Sequence, residues 1–497
     1  MARAPGSTPA PPEPATPAPA AAPGFAIRAP SRSMGLKLLL VCALALVMTI
    51  PALFVFALLM DRTQRAQQVA EEVGGVLGGP QTFLGPVLAV PYTSLQTTAA
   101  DGATPARTTQ VSGTWFVFPV QGGAEVATES EVRRRSLFKV PVYTSEVKFD
   151  ARFDLAEAGR TAPPGAAFDW SRAEMLVGAS DARGATSDVM LTVNGQSAAA
   201  TPGGALQDLS LRAMDIPGRR VASTGDGAMK LFGVSATPVA QPGAAFTAAA
   251  TLKFTGASRI GVLPFAKTTS VVIRGDWPHP SFDGGFLPVE RRVSGGPEGA
   301  PQGDGRGFSA RWSVPFVARG VPAEGDAQAL SNLGPGEVAV SFVEPANPYQ
   351  SVQRSLKYAL LFVGLVFLAY FLFEITTGKR VHPAQYILIG LAQIIFYLLL
   401  LSIAEHLGFD LGFLLAAGAT VALISAYAGW VFESRRQGVR ALVAFTVVYG
   451  LIYVLMRLED YALLVGALAS FAAIATVMYF TRRIDWYGGS NTSGVPA

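Results

Sequence analysis

Six ionisable side chains lie within or beside long apolar runs of this sequence, and they are the residues best suited to chemistry. They are Glu374, Glu405, His406, Arg457, Glu459 and Asp460. A charge at the centre of a lipid bilayer costs about 2.5–3.5 kcal/mol on insertion scales. A charge retained in such a setting is therefore a candidate for proton relay, ligand contact or ion pairing.

Each of these charges also has a structural explanation, which we favour. Glu374 comes one turn before Lys379-Arg380, so an ion pair at the membrane surface would account for it. Glu405-His406 could relay a proton, because histidine titrates near neutral pH, or could form a solvated turn. Arg457 and Glu459-Asp460 could pair across a tight turn or face a cavity between two helices.

A second candidate site is the aromatic and proline-rich segment that contains Trp277, His279 and Phe282. Pro278 and Pro280 exclude a central strand, because proline cannot donate to a ladder of hydrogen bonds. The segment could be a rigid, exposed recognition surface. It could also be a plug over one end of a β core, and we favour the plug.

Two smaller polar clusters are weaker candidates. Asp181 and Arg183 could bind an anion or stabilise a turn locally, and the turn is the simpler explanation. Arg133-Arg134-Arg135 precedes a predicted strand and could contact anionic lipid or an envelope polymer. Its structural alternative is a solvated strand edge.

The sequence contains no established catalytic or cofactor pattern. It has no HExxH, no GxSxG and no phosphate loop, since Gly378-Lys379 is followed by Arg380 rather than Ser or Thr. Ser355 and Lys357 would face different directions on a helix, which disfavours a Ser/Lys dyad. With Cys42 as the one cysteine, an intramolecular disulfide and a cysteine-cluster zinc site are excluded. The three histidines lie in separate regions, so a histidine metal site would require long-range convergence and is disfavoured. We therefore expect no enzyme activity, no cofactor and no metal.

The composition is that of a membrane protein. Half of the residues are apolar and only 15% are charged, whereas soluble domains carry about 25% charged residues. The net charge of +4 is spread along the chain, so no nucleic-acid partner is expected.

The first predicted span runs from Leu38 to Met60, 23 residues without a charge. At about 1.5 Å per residue such a helix crosses a hydrocarbon core of about 30 Å. Pro51 would kink it. The run is too long for a cleaved signal peptide and no cleavage site precedes Asp61, so we interpret it as a signal anchor. Residues 1–37 form a Pro/Ala-rich tail that is predicted to be disordered.

Residues 61–350 contain no apolar run that could span a membrane, and their dominant period is two. A helical extension is predicted to end at Gly78-Gly79-Pro80. Alternation over 147–155, 189–193 and 246–254 predicts strands, the second ending in the hairpin dipeptide Asn194-Gly195. Further short strands are predicted at 115–118, 270–273, 308–312 and 338–342, and 296–306 is a Gly-rich loop. The pattern predicts a mainly β domain, with two sandwiches in series left open.

Five further spans are predicted at 356–375, 384–404, 411–432, 439–456 and 461–480. Alternate connections carry the basic residues, and the positive-inside rule assigns those connections and the basic N-terminal tail to the cytoplasm. The predicted fold class is a helical membrane protein with one plus five spans and a large extracytoplasmic β domain at 61–350. A five-helix bundle follows at 351–481, and residues 482–497 form a cytoplasmic tail.

Several motifs resemble the CreD family of bacterial inner-membrane proteins. They are Arg354–Phe362, Phe371–Glu374, His382–Tyr386, Phe396–Ser402 with Glu405-His406, Arg457–Leu464, Gly85-Pro86, Asp181–Gly184, Trp277–Phe282 and Gly307–Trp312. The resemblance covers about residues 36–487. It implies a role in cell-envelope integrity or colicin tolerance, linked to two-component regulation, and it supplies no catalytic residue.

The leading functional hypothesis is a non-enzymatic envelope-maintenance protein of the inner membrane, whose outer domain contacts periplasmic or envelope components. A transporter or lipid-handling protein that uses the six bundle charges is the alternative, although the charges lie at span ends rather than at the midplane. A sensor that signals to a membrane partner is a third possibility. The expected partners are membrane lipids and a periplasmic or inner-membrane protein.

Overall fold

A computed structural model describes residues 34–98, 107–202, 209–210, 228–237, 239–294, 307–343, 348–457 and 462–482. Most of the predicted tails, the Gly-rich loop at 296–306, Glu459 and Asp460 lie outside the described residues.

Ten α-helices occur in the described residues. They are α1 Met34–Val47, α2 Thr49–Val76, α3 Phe316–Arg319, α4 Ala327–Ser331, α5 Pro348–Lys357, α6 Ala359–Thr377, α7 Pro383–Leu407, α8 Phe409–Val431, α9 Arg435–Arg457 and α10 Ala462–Thr481.

Between α2 and α5 the described chain is mostly strand. The strands are β1 Gln81–Thr98, β2 Arg107–Val117, β3 Gln121–Arg135, β4 Phe138–Asp154, β5 Ala167–Phe168, β6 Glu174–Ala179, β7 Met190–Val193, β8 Gln196–Ala199, β9 Thr201–Pro202, β10 Leu209–Ser210, β11 Ala228–Ser235, β12 Ala245–Ala257, β13 Arg259–Val262, β14 Thr268–Gly275, β15 Pro280–Gly284, β16 Glu290–Val293, β17 Phe308–Val314, β18 Glu324–Gly325 and β19 Val338–Phe342.

The strands form two sheets over one hydrophobic core. The larger sheet has the path β10-β11-β6-β1-β13-β19-β15, with β2 and β5 also paired to β1, β18 paired to β2 and β9 paired to β11. The other sheet has the order β16-β17-β14-β3-β4-β12-β7-β8. Inward residues of both sheets, such as Val87, Phe83, Phe149 and Phe254, belong to a single cluster of buried side chains. The described strands therefore form a single sandwich with one core, and not two sandwiches in series.

The alternating pattern of the sequence explains the second sheet. In β4, Val147, Phe149, Ala151 and Phe153 are buried and the residues between them are not. Each large apolar side chain buried in this way contributes roughly 1.5–3 kcal/mol. The Asn194-Gly195 turn joins β7 to β8, and both residues have positive φ, 49° and 84°. The hairpin prediction is therefore confirmed.

The first predicted span is helical and is interrupted near Pro51. One helix ends at Val47 and the next begins at Thr49, about one turn before the proline that removes a backbone donor. Helix α2 continues to Val76, and Gly78 and Gly79 follow with positive φ. The expected helical extension and its glycine stop are both confirmed.

Five helices in the described residues are long and apolar enough to cross a membrane. They are Gly35–Val76, which comprises α1 and α2, and the four helices α6, α7, α8 and α9. The sixth predicted span is also a helix, α10, and its described apolar stretch, Leu464–Tyr479, is shorter. The fold class is confirmed: a large, mainly β domain lies in the sequence between the N-terminal apolar helix and the C-terminal apolar helices.

Contacts divide the chain into two units. The helical unit comprises the described residues of Met1–Ala52, Lys357–Ile395 and Ala419–Ala497. The β unit comprises Leu53–Leu356 and Phe396–Gly418, so it contains the β domain together with most of α2 and the adjoining ends of α7 and α8.

Candidate functional site

Glu374 is the most buried of the four candidate charges that the structure describes. It lies near the end of α6 and is 5% exposed. Its carboxylate accepts hydrogen bonds from the Lys37 ammonium group, from the Val381 backbone N–H at 2.9 Å and from the Tyr386 hydroxyl at 3.1 Å. Lys37 also donates to the Val381 carbonyl at 3.0 Å. We call Lys37, Glu374, Val381 and Tyr386 the carboxylate clamp.

Local sequence explains how the clamp is assembled. Gly378 ends α6 in the left-handed conformation, with φ of 66°, and its N–H donates to the Glu374 carbonyl at 3.0 Å. This reversal brings Val381 back to the Glu374 side chain. Tyr386 comes from the start of α7 and Lys37 from α1. One carboxylate therefore ties together three helices of the helical unit.

The expected partner of Glu374 was wrong. Lys379 pairs instead with Glu433 at 2.8 Å, and both of these side chains are exposed. The true partner, Lys37, is 337 residues away in sequence. The sequence did contain an indication of this pair, because Lys37 precedes one predicted span and Glu374 lies at the end of another, both at the same predicted membrane face.

Several buried polar groups of the helical unit have no hydrogen-bond partner among the described residues. They are Tyr370 Oη, Gln393 Oε1, Ser425 Oγ and Gln437 Oε1. The Tyr370 ring lies 6.0 Å from that of Tyr386 in the clamp. A buried polar atom without a partner costs about 1–3 kcal/mol, so these atoms are candidates for contact with water or a small polar ligand.

Glu405 and His406 do not act together. The Tyr349 hydroxyl, from α5, donates to Glu405 at 3.1 Å, whereas His406 Nδ1 lies 2.9 Å from the Ser402 carbonyl in its own helix. Burial, together with the nearby Glu405 carboxylate, raises the pKa of Tyr349. Glu405 thus links α5 to the end of α7 within the β unit. This contact differs from the solvated turn that we had favoured. His406 is exposed.

Arg457 is the last residue of α9, and it contacts Tyr453 one turn earlier in the same helix. Its Nε lies 3.3 Å from the Tyr453 hydroxyl, and its guanidinium group lies 5.7 Å from the centre of that ring. The rest of the predicted charged turn, Glu459 and Asp460, lies outside the described residues.

The Trp277 segment is mostly committed to packing. Trp277 is 8% exposed, and its indole N–H donates to the Val343 carbonyl at 3.0 Å. Phe282 lies in the edge strand β15 and contacts the rings of Phe308 and Trp312. His279 is exposed. Of the three predicted recognition residues, His279 alone is exposed.

A buried junction between α2 and the β domain was not predicted. The Gln81 side chain, which is fully buried, donates to the carbonyls of Gly78 at 3.1 Å and Asp181 at 3.0 Å. A Cβ atom on Gly184 would lie 2.4 Å from the Thr255 carbonyl oxygen. The expected Asp181–Gly184 turn is present, since Asp181 accepts from the Arg183 N–H at 2.9 Å. The packing of this turn against the end of α2 at Gly78 could not be inferred from the sequence.

Two arginines of the β domain, Arg319 buried and Arg259 largely buried, were also missed. Arg259 forms an ion pair with Glu337 at 2.7 Å. Burial disfavours its charge, but the Glu337 carboxylate more than compensates and raises the pKa of Arg259. Arg319 is 5% exposed and lies 4.2 Å from the centre of the Phe118 ring. Burial lowers the pKa of Arg319 to about 9.

Two further kinds of site concern the described part of the chain, a metal-ligand cluster and the Ser355–Lys357 dyad. Those residues contain no group of three or more His, Cys, Asp or Glu side chains that could hold a metal ion. The Ser355 hydroxyl donates to the Val352 carbonyl at 2.7 Å, which engages it within its own helix.

Comparison with known proteins gives two matches. The family model described as Inner membrane protein CreD matches residues 33–487. The chain is 28% identical over 450 residues to Inner membrane protein CreD of Escherichia coli strain K12, an alignment that covers 90% of this chain and 92% of that protein.

Proposed function

The chain belongs to the CreD family of inner membrane proteins, and on that premise we propose that it is a non-enzymatic protein that maintains cell-envelope integrity and stress or colicin tolerance. In this proposal the β domain contacts periplasmic or envelope components. Membrane lipids and a periplasmic or inner-membrane protein are its partners.

The proposal includes a topology with both termini in the cytoplasm and residues 61–350 in the periplasm. The distribution of basic residues supports it, because Lys379-Arg380, Arg435-Arg436 and Arg482-Arg483 fall on alternate connections. Lys37, immediately before the first apolar run, is consistent with the same side.

One observation carries the proposal: within the β unit, the β domain is fastened to membrane segments at two places. Helix α2 continues from the first apolar run to the Gln81 junction, and Tyr349 bonds to Glu405 at the end of α7. Double attachment restricts rotation of the domain. Such a domain is suited to holding a binding surface at a fixed orientation beside the membrane.

The experiment is deletion of the gene in its source bacterium, with growth measured in detergent, cell-wall antibiotics and colicins. We expect the deletion strain to change in sensitivity and the full-length chain, at native abundance, to restore the parental response. Unchanged sensitivity to all three treatments would remove the support for an envelope role.

The transporter or lipid-handling alternative is favoured by one observation, the unpartnered polar atoms of Tyr370, Gln393 and Ser425. Under that alternative, Tyr370→Phe and Ser425→Ala abolish complementation at unchanged protein abundance. Under the envelope proposal both variants complement fully, because their hydroxyl groups have no role in contacting the periplasm.

A further inference from the structure

The β3–β4 hairpin extends beyond its neighbouring strands. On one side, β14 pairs with β3 only as far as Thr128, and on the other, β12 pairs with β4 only from Val142 onward. The hairpin continues to the pair Arg135 and Phe138. Residues 129–141 therefore form a two-stranded ribbon about 20 Å long, at roughly 3.3 Å per residue. Its turn is Ser136-Leu137, with a positive φ of 56° at Ser136.

Helix α2 fixes the direction of the ribbon. Val140, Val142 and Ala257 form a buried cluster, and the α2 residues Val69, Ala70 and Val73 pack against it together with Leu77, which follows the helix. A Cβ atom on Gly74 would lie 3.1 Å from the Ala257 Cβ, and Ala257 is the register partner of Val142. The Arg135 side chain also forms an ion pair with Glu72.

These contacts direct the turn towards the end of the first apolar run. From Gly74 back to Asp61 is about 20 Å along a helix. From Val142 back to the turn is about 17 Å along a strand. Because the two elements pack side by side, Ser136-Leu137 lies towards the Asp61 end of α2 from Gly74. Phe138 gives independent support: its ring lies 6.4 Å from that of Tyr349, which bonds to Glu405 at the end of α7.

The tip of the ribbon is strongly basic and exposed. Arg133, Arg134, Arg135 and Lys139 are all exposed, and Leu137 at the turn is 39% exposed. Glu131 is the acidic residue within 131–139, and it lies 4.0 Å from Arg133. Arg134 stands opposite Lys139 in the ladder.

We propose that this tip, residues 133–139, binds the phosphate head groups of anionic phospholipids at the membrane surface, with Leu137 entering the head-group layer. Arginine forms forked hydrogen bonds with phosphate oxygens, and a basic residue near an anionic membrane surface contributes roughly a fivefold gain in binding. This inference depends on the membrane helices and not on the proposed envelope role. Lipid binding by the tip and the envelope role can therefore be refuted separately.

The test uses the full chain reconstituted in vesicles, with Cys42→Ala as the background. A fluorophore is attached at Leu137→Cys, and a quencher is attached to lipid head groups. Vesicles of phosphatidylcholine alone are compared with vesicles that also contain phosphatidylglycerol. Gln196→Cys is the control, because it follows the β7–β8 turn at the opposite end of the same sheet.

We expect quenching at position 137 that increases with phosphatidylglycerol and decreases with salt, and little quenching at position 196. Arg133→Gln with Arg134→Gln should weaken the preference for phosphatidylglycerol about tenfold or more. Arg135 is kept because it pairs with Glu72. Arg291→Gln with Arg292→Gln is the matched control, since it removes the same charge from another exposed part of this sheet.

Equal quenching at positions 137 and 196 would overturn the proposal. So would quenching at 137 that does not depend on phosphatidylglycerol, or an equal effect of the two arginine double variants. Quenching at 137 that requires added periplasmic extract would assign the tip to a protein partner and also contradict lipid binding.

Discussion

At the scale of single residues, the carboxylate clamp explains why a charge is retained within an apolar helix. Three donors converge on Glu374, so its burial does not leave a charge without partners. As in other buried ion pairs, forming the clamp and breaking it have unequal effects on stability. Its formation contributes little net stability, whereas loss of one partner is expensive because the other charge stays buried.

Removing either partner of the clamp should destabilise the protein. We expect Lys37→Met and Glu374→Gln each to lower the free energy of unfolding by about 1–3 kcal/mol. This is less than the roughly 3–5 kcal/mol lost when a fully buried pair is broken, because the Lys37 side chain is 18% exposed. The double variant should be less destabilised than the sum of the two, because neither charge is then left alone. The measurement is the thermal unfolding midpoint of the detergent-solubilised chain.

Lys379→Met with Glu433→Gln is the control, since this pair is exposed in the same helical unit. It should leave the midpoint unchanged, as exposed ion pairs contribute little. Additive effects of the two clamp variants would show that Lys37 and Glu374 are not coupled.

At the scale of elements, α2 links the first apolar run to the β domain without an intervening loop. The helix ends at Gly78-Gly79, and the polypeptide enters β1 at Gln81. The buried Gln81 side chain then bonds to carbonyls on both sides of the junction. Gly184 allows this contact because its backbone approaches the Thr255 carbonyl and the Gln81 amide closely.

Gly184→Ala should disrupt the junction. Its methyl group would lie 2.4 Å from the Thr255 carbonyl oxygen, and overpacking of this kind costs about 1–3 kcal/mol. Gly75→Ala is the matched control, because its Cβ meets nothing within 4 Å and alanine favours a helix by about 0.5–1 kcal/mol. Limited proteolysis and thermal unfolding of the purified protein measure both effects. Equal stability of the two variants would contradict the role of Gly184.

At the scale of the whole molecule, topology determines which compartment each unit faces. Reporter fusions test it. Alkaline phosphatase fused after Asp410 or Asp460 should be active, because those connections are proposed to be periplasmic. A fluorescent protein fused after Arg380 or Arg436 should fold in the cytoplasm. The basic residues of the cytoplasmic connections supply the physical reason. The reverse pattern of activity would contradict both the topology and a periplasmic β domain.

Much of this molecule could be predicted from local patterns in the sequence. Apolar runs gave the helices, alternation gave strands such as β4 and β12, and turn chemistry gave the Asn194-Gly195 hairpin and the helix stop at Gly78. These features depend on a few consecutive residues, so a short window contains the information. The same patterns identified Glu374 as a candidate charge at the end of a span, but neither its burial nor its partner.

Only the tertiary structure decided which buried surfaces meet. Periodicity identifies the face of a strand that is buried, but not the strand beside it, and the parallel pairs β1–β13 and β3–β14 join distant parts of the chain. The single core, the Lys37–Glu374 pair and the Gln81 junction all depend on such distant contacts. Hydrophobic burial is non-directional, so the sequence by itself determines which residues leave water. The packing of the folded chain determines the partner of each one.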